Sequence, residues 1–256
     1  MSQDLPPDPV ATLQAAAIHT RDLVTGLAPG QLLAPSYASE WTIADALSHL
    51  GSGAVIIGQG IEDSIAGRPP DPDFNPSVWD TWNAKQPTDQ AADFLAADQA
   101  LLDRIASLSP EEAATVRLPF GPITLDLDGV ARARLNEHTL HTWDVEVAID
   151  PTATLLPSST AVVVDNLGLI AGFAGKPTGT VHDLIVRTVN PERTFTLSLG
   201  TDSVTLQPAD SAATPELELP AEALIRLIYG RLDPAHTPPF SGAADLDELR
   251  RTFPGL

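Results

Sequence analysis

The sequence runs to 256 residues, with 34 acidic side chains against 14 basic ones, a formal net charge of −20 and no cysteine. That balance argues against nucleic acid, which needs clustered Lys and Arg, and against contact with anionic lipid. The missing cysteine excludes a disulfide framework, a protein thiol nucleophile and thiolate metal ligands, so any sulfur chemistry must use a thiol on a small molecule.

Nothing in Met1–Pro7 reads as a signal peptide. The most apolar windows, 161–170 and 54–61, fall far short of the ~20 residues that span a bilayer. The expected setting is cytoplasmic, as a monomer or small homo-oligomer.

The first 150 residues read as helices divided by Pro- and Gly-rich loops. Apolar residues at helical spacing predict a helix over 9–27, ending at Ala28-Pro-Gly30. A second opens at Thr42 as N-cap and runs to Gly67, with Ile43, Ala46, Leu47 and Leu50 on one face. Its glycines (Gly51, Gly53, Gly58, Gly60) weaken it by about 1 kcal/mol each and suit close helix packing. Residues 69–76 read as a loop, 88–108 as a third helix, 109–128 as a loop around Leu118-Pro-Phe-Gly-Pro122, and 129–149 as a fourth helix. Four such helices predict a four-helix bundle.

Residues 150–158 form the expected linker. Beyond it come an apolar helix over 159–173 and strands at 181–189 and 216–219. A hairpin of 193–199 with 203–207 and two short helices, 221–229 and 245–252, complete the pattern. The expected class is α+β with two domains, 1–150 helical and 151–256 α+β.

The fourth helix contains Glu137-His138-Thr-Leu-His141. Glu137 and His141, four apart, share one helix face. His49, in an otherwise apolar stretch of the second helix, is the best third partner. Two His and one carboxylate suit Zn²⁺ and leave a fourth position open. The same spacing also suits a solvated helix face beside one core histidine.

The words around these residues extend the pattern. Trp41-Thr-Ile-Ala-Asp45-Ala-Leu-Ser-His49-Leu50 and Glu137-His-Thr-Leu-His141-Thr-Trp143-Asp144 together resemble the mycothiol-dependent maleylpyruvate isomerase family. Its pattern is Trp-Thr-Val-x-Asp-x-Leu-x-His-Leu, then Glu-x-x-x-His-x-Trp-Asp. Leu219-Pro-Ala-Glu-Ala-Leu-Ile-Arg-Leu-Ile-Tyr-Gly-Arg231, Phe240-Ser-Gly242 and Leu249-Arg-Arg-Thr-Phe253-Pro-Gly255 carry the resemblance through the second half. The resemblance implies a DinB-like metal-binding four-helix bundle followed by a sterol-carrier-like domain. It places a divalent metal, usually zinc, on His49, Glu137 and His141.

It further implies mycothiol, the small thiol of actinobacteria, as cofactor or cosubstrate. A metal holding that thiol deprotonates it. Addition of the thiolate to a conjugated alkene leaves a single bond that rotates before the thiolate departs, giving cis–trans isomerisation. Release of the adduct instead makes the protein an S-transferase. A hydrolase using metal-bound hydroxide, and a binding module with a structural metal, are the alternatives.

Eight further residues are singled out. His138 points about 100° away from Glu137 and is expected behind the ligands or on the surface. Asp45 has two readings, orienting His49 or favouring the helix N-terminus. Asp144 reads as a structural polar group. Arg231 is the candidate for a substrate or thiol carboxylate, with a helix-end residue as the equal reading; Arg226 and Arg134 share that ambiguity. Trp41 and Trp143 are expected in the core or a pocket wall.

Overall fold

A computed structural model describes residues 8–38 and 40–255. They fall into two compact units that part between residues 153 and 154.

The first unit holds six helices and a small hairpin: α1 (Pro9–Thr25), α2 (Ile43–Ile65), α3 (Phe74–Asn83), α4 (Pro87–Ser107), α5 (Pro110–Thr115), β1 (Leu118–Phe120), β2 (Ile123–Leu125) and α6 (Leu127–Glu146). The long helices α1, α2, α4 and α6 form the bundle. α2 packs on α4 and α6, and α1 on α6 and α4, which leaves α1 diagonal to α2. Ile43, Leu47, Leu50, Trp82 and Phe94 fill one part of the core; Ala54, Ile61, Leu101, Ile105 and Val130 fill another.

The start of α2 is fixed twice over. The Thr42 hydroxyl accepts the Asp45 backbone N–H at 3.1 Å, and the Asp45 carboxylate accepts the Thr42 N–H at 2.9 Å. This capping box satisfies two donors that a helix start otherwise leaves bare. It settles Asp45: its contacts lie at the helix end, not on His49.

Two segments depart from expectation. α3 begins inside the loop expected at 69–76. Pro76 sits in its first turn, where the missing N–H would have had no helical partner anyway. Within 109–128, α5 and the β1–β2 hairpin appear. Phe120 pairs with Ile123 across a two-residue turn whose Gly121 has φ 55°, a backbone setting that glycine adopts without strain.

The second unit begins with α7 (Pro157–Val163), a 3₁₀ turn at Val164–Asn166 and α8 (Leu167–Ala174). The single helix expected at 159–173 is thus broken. The β-branched run Val162-Val163-Val164 holds helix poorly. Past the break Gly168 meets the sheet so closely that a Cβ there would lie 2.8 Å from the Leu206 carbonyl oxygen.

Strands β3 (His182–Val189), β4 (Arg193–Leu199), β5 (Val204–Pro208), β6 (Leu217–Pro220) and β7 (Ser241–Gly242) form one sheet in the order β5-β4-β3-β6-β7. β3 and β6 run parallel; the other neighbours are antiparallel. Alternation along β3 buries Leu184, Val186 and Thr188. α9 (Ala221–Ile228) packs on β3 and β6, and α10 (Leu246–Thr252) ends the described chain's helices. The class is α+β, helical first and sheet-containing second. Among the described residues no helix is long and apolar enough to cross a membrane.

Candidate metal centre

His49 comes from the second turn of α2, and Glu137 and His141 from consecutive turns of α6, which packs against it. The Glu137 Oε2 lies 2.8 Å from His49 Nε2 and 3.5 Å from His141 Nε2. One ligand atom from each residue falls within 4.8 Å of the other two. Donors on a tetrahedral zinc at about 2.0–2.2 Å stand roughly 3.4 Å apart, so these three fit one ion with little movement.

The site has a closed side and an open side. The Asp144 carboxylate, fully buried, accepts a hydrogen bond from His141 Nδ1 at 2.9 Å. That fixes the tautomer, leaving the Nε2 lone pair aimed at Glu137 and His49. The Trp41 ring lies 5.6 Å from the His141 ring, nearly parallel, and 5.1 Å from the His49 ring. Trp41 is held by a closed turn: Ser36 N–H donates to the Trp41 carbonyl at 2.8 Å, and Ile43 N–H to the Ala34 carbonyl at 3.0 Å. Tyr37 N–H donates to the Asp144 carbonyl at 3.0 Å, which ties this turn to the end of α6. The side chains of His49 and Glu137 remain 40% and 44% exposed, against 11% for His141. An incoming group therefore meets the three donors from the His49–Glu137 side.

The charges suit a cation. Burial alone would raise the Glu137 carboxyl, but hydrogen bonds from His141 and His49 outweigh it and hold it well below the ordinary carboxylate range. Burial would lower the His141 imidazole, but the bonds to Asp144 and Glu137 raise it above the ordinary value. The arrangement is a negative pocket that favours positive charge, which a proton on the imidazole or a metal ion bound there would supply.

His138 lies behind the triad and not on the surface. It is fully buried, with Nε2 2.8 Å from the Asp98 carboxylate and Nδ1 3.2 Å from the Thr20 hydroxyl. Burial, followed by the Arg134 charge, lowers its pKa and keeps it neutral. Trp143 is buried too, its Nε1 donating to the Ala153 carbonyl at 2.9 Å.

Arg231 lies in the second unit, just past α9. Its guanidinium donates to the Tyr229 carbonyl at 3.0 Å, the contact of a helix-end residue. Arg226 is buried and paired with Glu222. Asp98 is the residue that the sequence reading missed, and Asp144 was read there only as a structural polar group. Asp144 carried a signal in its place three residues after His141; Asp98 carried none.

No curated protein sequence matches the chain. In three dimensions it is similar to a crystal structure of the mycothiol-dependent maleylpyruvate isomerase, with a TM-score of 0.65 and 14% sequence identity over 93% of this chain and 94% of that one. It is similar to the same degree, at 13% identity, to a crystal structure of a histidine-to-alanine mutant of the mycothiol-dependent maleylpyruvate isomerase. At such identity the likeness establishes the fold. Family is carried by the sequence itself: residues 13–146, more than half of the chain and including all three converging residues, match the mycothiol maleylpyruvate isomerase N-terminal domain, and the chain belongs to that family.

Proposed function

We propose that the protein is a metal- and thiol-dependent enzyme that holds a divalent ion, of the zinc type, on His49, Glu137 and His141. The observation that carries this reading is the convergence of their three ligand atoms within 4.8 Å, with the far nitrogen of His141 already engaged by Asp144. A zinc-type ion bound there supplies Lewis acidity that makes a coordinated thiol acidic at neutral pH. Two neutral imidazoles and one carboxylate leave such an ion about one unit of positive charge.

The chain's own residues set the conditions for that chemistry. Glu137 is ionised throughout the neutral range, because its neighbours hold its pKa down. Asp144 keeps the His141 Nε2 free to donate its lone pair. Trp41 covers the two imidazoles on one side. The exposed flank of His49 and Glu137 admits the thiol.

The thiol we assign is mycothiol, and the reaction is cis–trans isomerisation of a small electrophilic alkene of the maleylpyruvate type; both come from the family. S-transfer begins with the same thiol addition and differs in product release. Among the described residues no further carboxylate joins the three-ligand cluster, which disfavours a hydrolase needing a separate base. Arg231 stays a candidate for a substrate or thiol carboxylate, with its guanidinium donating to the Tyr229 carbonyl at 3.0 Å.

The test is turnover of maleylpyruvate by zinc-loaded protein with and without mycothiol. Isomer formed only with the thiol supports the reading. A thiol conjugate as sole product moves it to S-transfer, and thiol-independent hydrolysis overturns it.

A further inference from the structure

Directly behind the triad lies a buried polar network that the proposed chemistry does not use. Arg134, 1% exposed, is one turn before Glu137 on α6. Its Nη2 donates to the Asp98 carboxylate of α4 at 2.8 Å and to the Leu50 carbonyl of α2, also at 2.8 Å. Leu50 is the residue after His49. The same Asp98 oxygen accepts from His138 Nε2, and His138 is the residue after Glu137. His138 Nδ1 faces the Thr20 hydroxyl of α1, which also meets the Thr142 hydroxyl at 2.6 Å. One network thus touches all four bundle helices, and it touches the chain next to two of the three ligands.

Arg134 passes close to Gly53 of α2. A Cβ there would lie 3.2 Å from Arg134 Nη1, tighter than an ordinary contact. Position 53 is four residues after His49 on the same helix face. The helix is thinned at the point where the guanidinium crosses it.

We propose that Arg134 and Asp98 are positioning residues for the metal centre, which set the rotation of α6 and its register against α2. This rests on the metal reading above. The physical reason is the directionality of buried charge. Apolar side chains slide and repack at modest cost, but a guanidinium and a carboxylate out of water tolerate few settings. Positions 134, 138 and 142 form an inward column, which turns Glu137 and His141 towards His49. Every 100° of rotation moves one residue to the next face of a helix, so losing the column's preference leaves the donors near one another but no longer held at one spacing.

The test compares zinc affinity and the visible spectrum of the Co²⁺-substituted protein for wild type, the double variant Arg134→Met/Asp98→Leu, and Asp98→Asn. The double variant removes both charges at similar volume, a change that folds often accept without loss. We expect cooperative melting in both variants, zinc affinity lowered about tenfold or more in the double variant, an intermediate loss in Asp98→Asn, and altered cobalt bands in both. Folded variants with wild-type affinity and wild-type bands overturn the proposal while leaving the metal reading intact. Failure of the wild type to bind zinc overturns both. Unfolding of both variants makes the network a determinant of the fold and overturns the positioning role.

Discussion

Asp144 shows how much of the proposed metal site sits outside its three candidate ligands. It touches His141 on the nitrogen facing away from Glu137, and by accepting a hydrogen bond from that N–H it leaves the other nitrogen to point inward. Asp144→Ala leaves His141 free to choose either tautomer and to swing. The expected outcome is a folded protein whose zinc affinity, measured by chelator competition, falls about 10- to 100-fold. The triad was legible because a Glu–His pair four apart and a histidine amid apolar residues at 49 offered it, and the family resemblance of the words around them chose it over a solvated helix face. The buried column was not. Asp98 is 36 residues from Arg134 and 40 from His138 in the chain, and no spacing rule links them. His138 read either as lying behind the ligands or on the surface, because a lone polar position beside a candidate ligand carries no sign of what packs behind it.

The helices explain two features that residue patterns leave ambiguous. Glycines in α2 look uniformly weakening, yet their surroundings differ. Gly51 faces the Trp82 ring of α3 so closely that no Cβ fits, whereas Gly58 faces open space. Gly58→Ala is therefore expected to raise stability by about 0.5–1 kcal/mol. Gly51→Ala, the better helix former on paper, is expected to lower it by about 1–3 kcal/mol. Urea midpoints of the two variants check the opposite signs. The start of α2 at Thr42 was legible, while Asp45 stood with two readings until the capping box chose between them. The short α3, α5 and the β1–β2 hairpin were not, because prolines at 72, 76, 110, 119 and 122 read as breakers while several of them occupy first turns or turn positions that proline tolerates. The apolar stretch 159–173 hid its break for the opposite reason: continuous hydrophobicity says buried, but it does not say straight.

For the whole molecule, charge sets the pH behaviour. Burial alone would raise the Asp98 carboxyl, but the His138 hydrogen bond and the Arg134 charge hold it well below its ordinary value, and Glu137 is held down likewise. Groups depressed in the folded state stabilise fully above their unfolded values, about 3.9–4.3, and lose that contribution as pH falls through the folded ones. The urea midpoint of metal-free protein is expected to drop steeply below about pH 4, and less steeply in Asp98→Asn. Zinc binding follows a different group. His141 must lose its proton to bind, and its pKa is raised above the ordinary imidazole value, so zinc affinity is expected to fall as the medium is acidified, starting at a higher pH than for an ordinary histidine. The absence of cysteine now fits a protein whose reacting sulfur comes from outside the chain. The most direct test of the central claim is the zinc content of desalted protein after equilibration with excess zinc, for wild type, His49→Ala and His141→Ala. The account predicts a single tightly held zinc in the wild type and its loss in both variants while the fold persists. Wild-type zinc content in either variant, or none in the wild type, would contradict it.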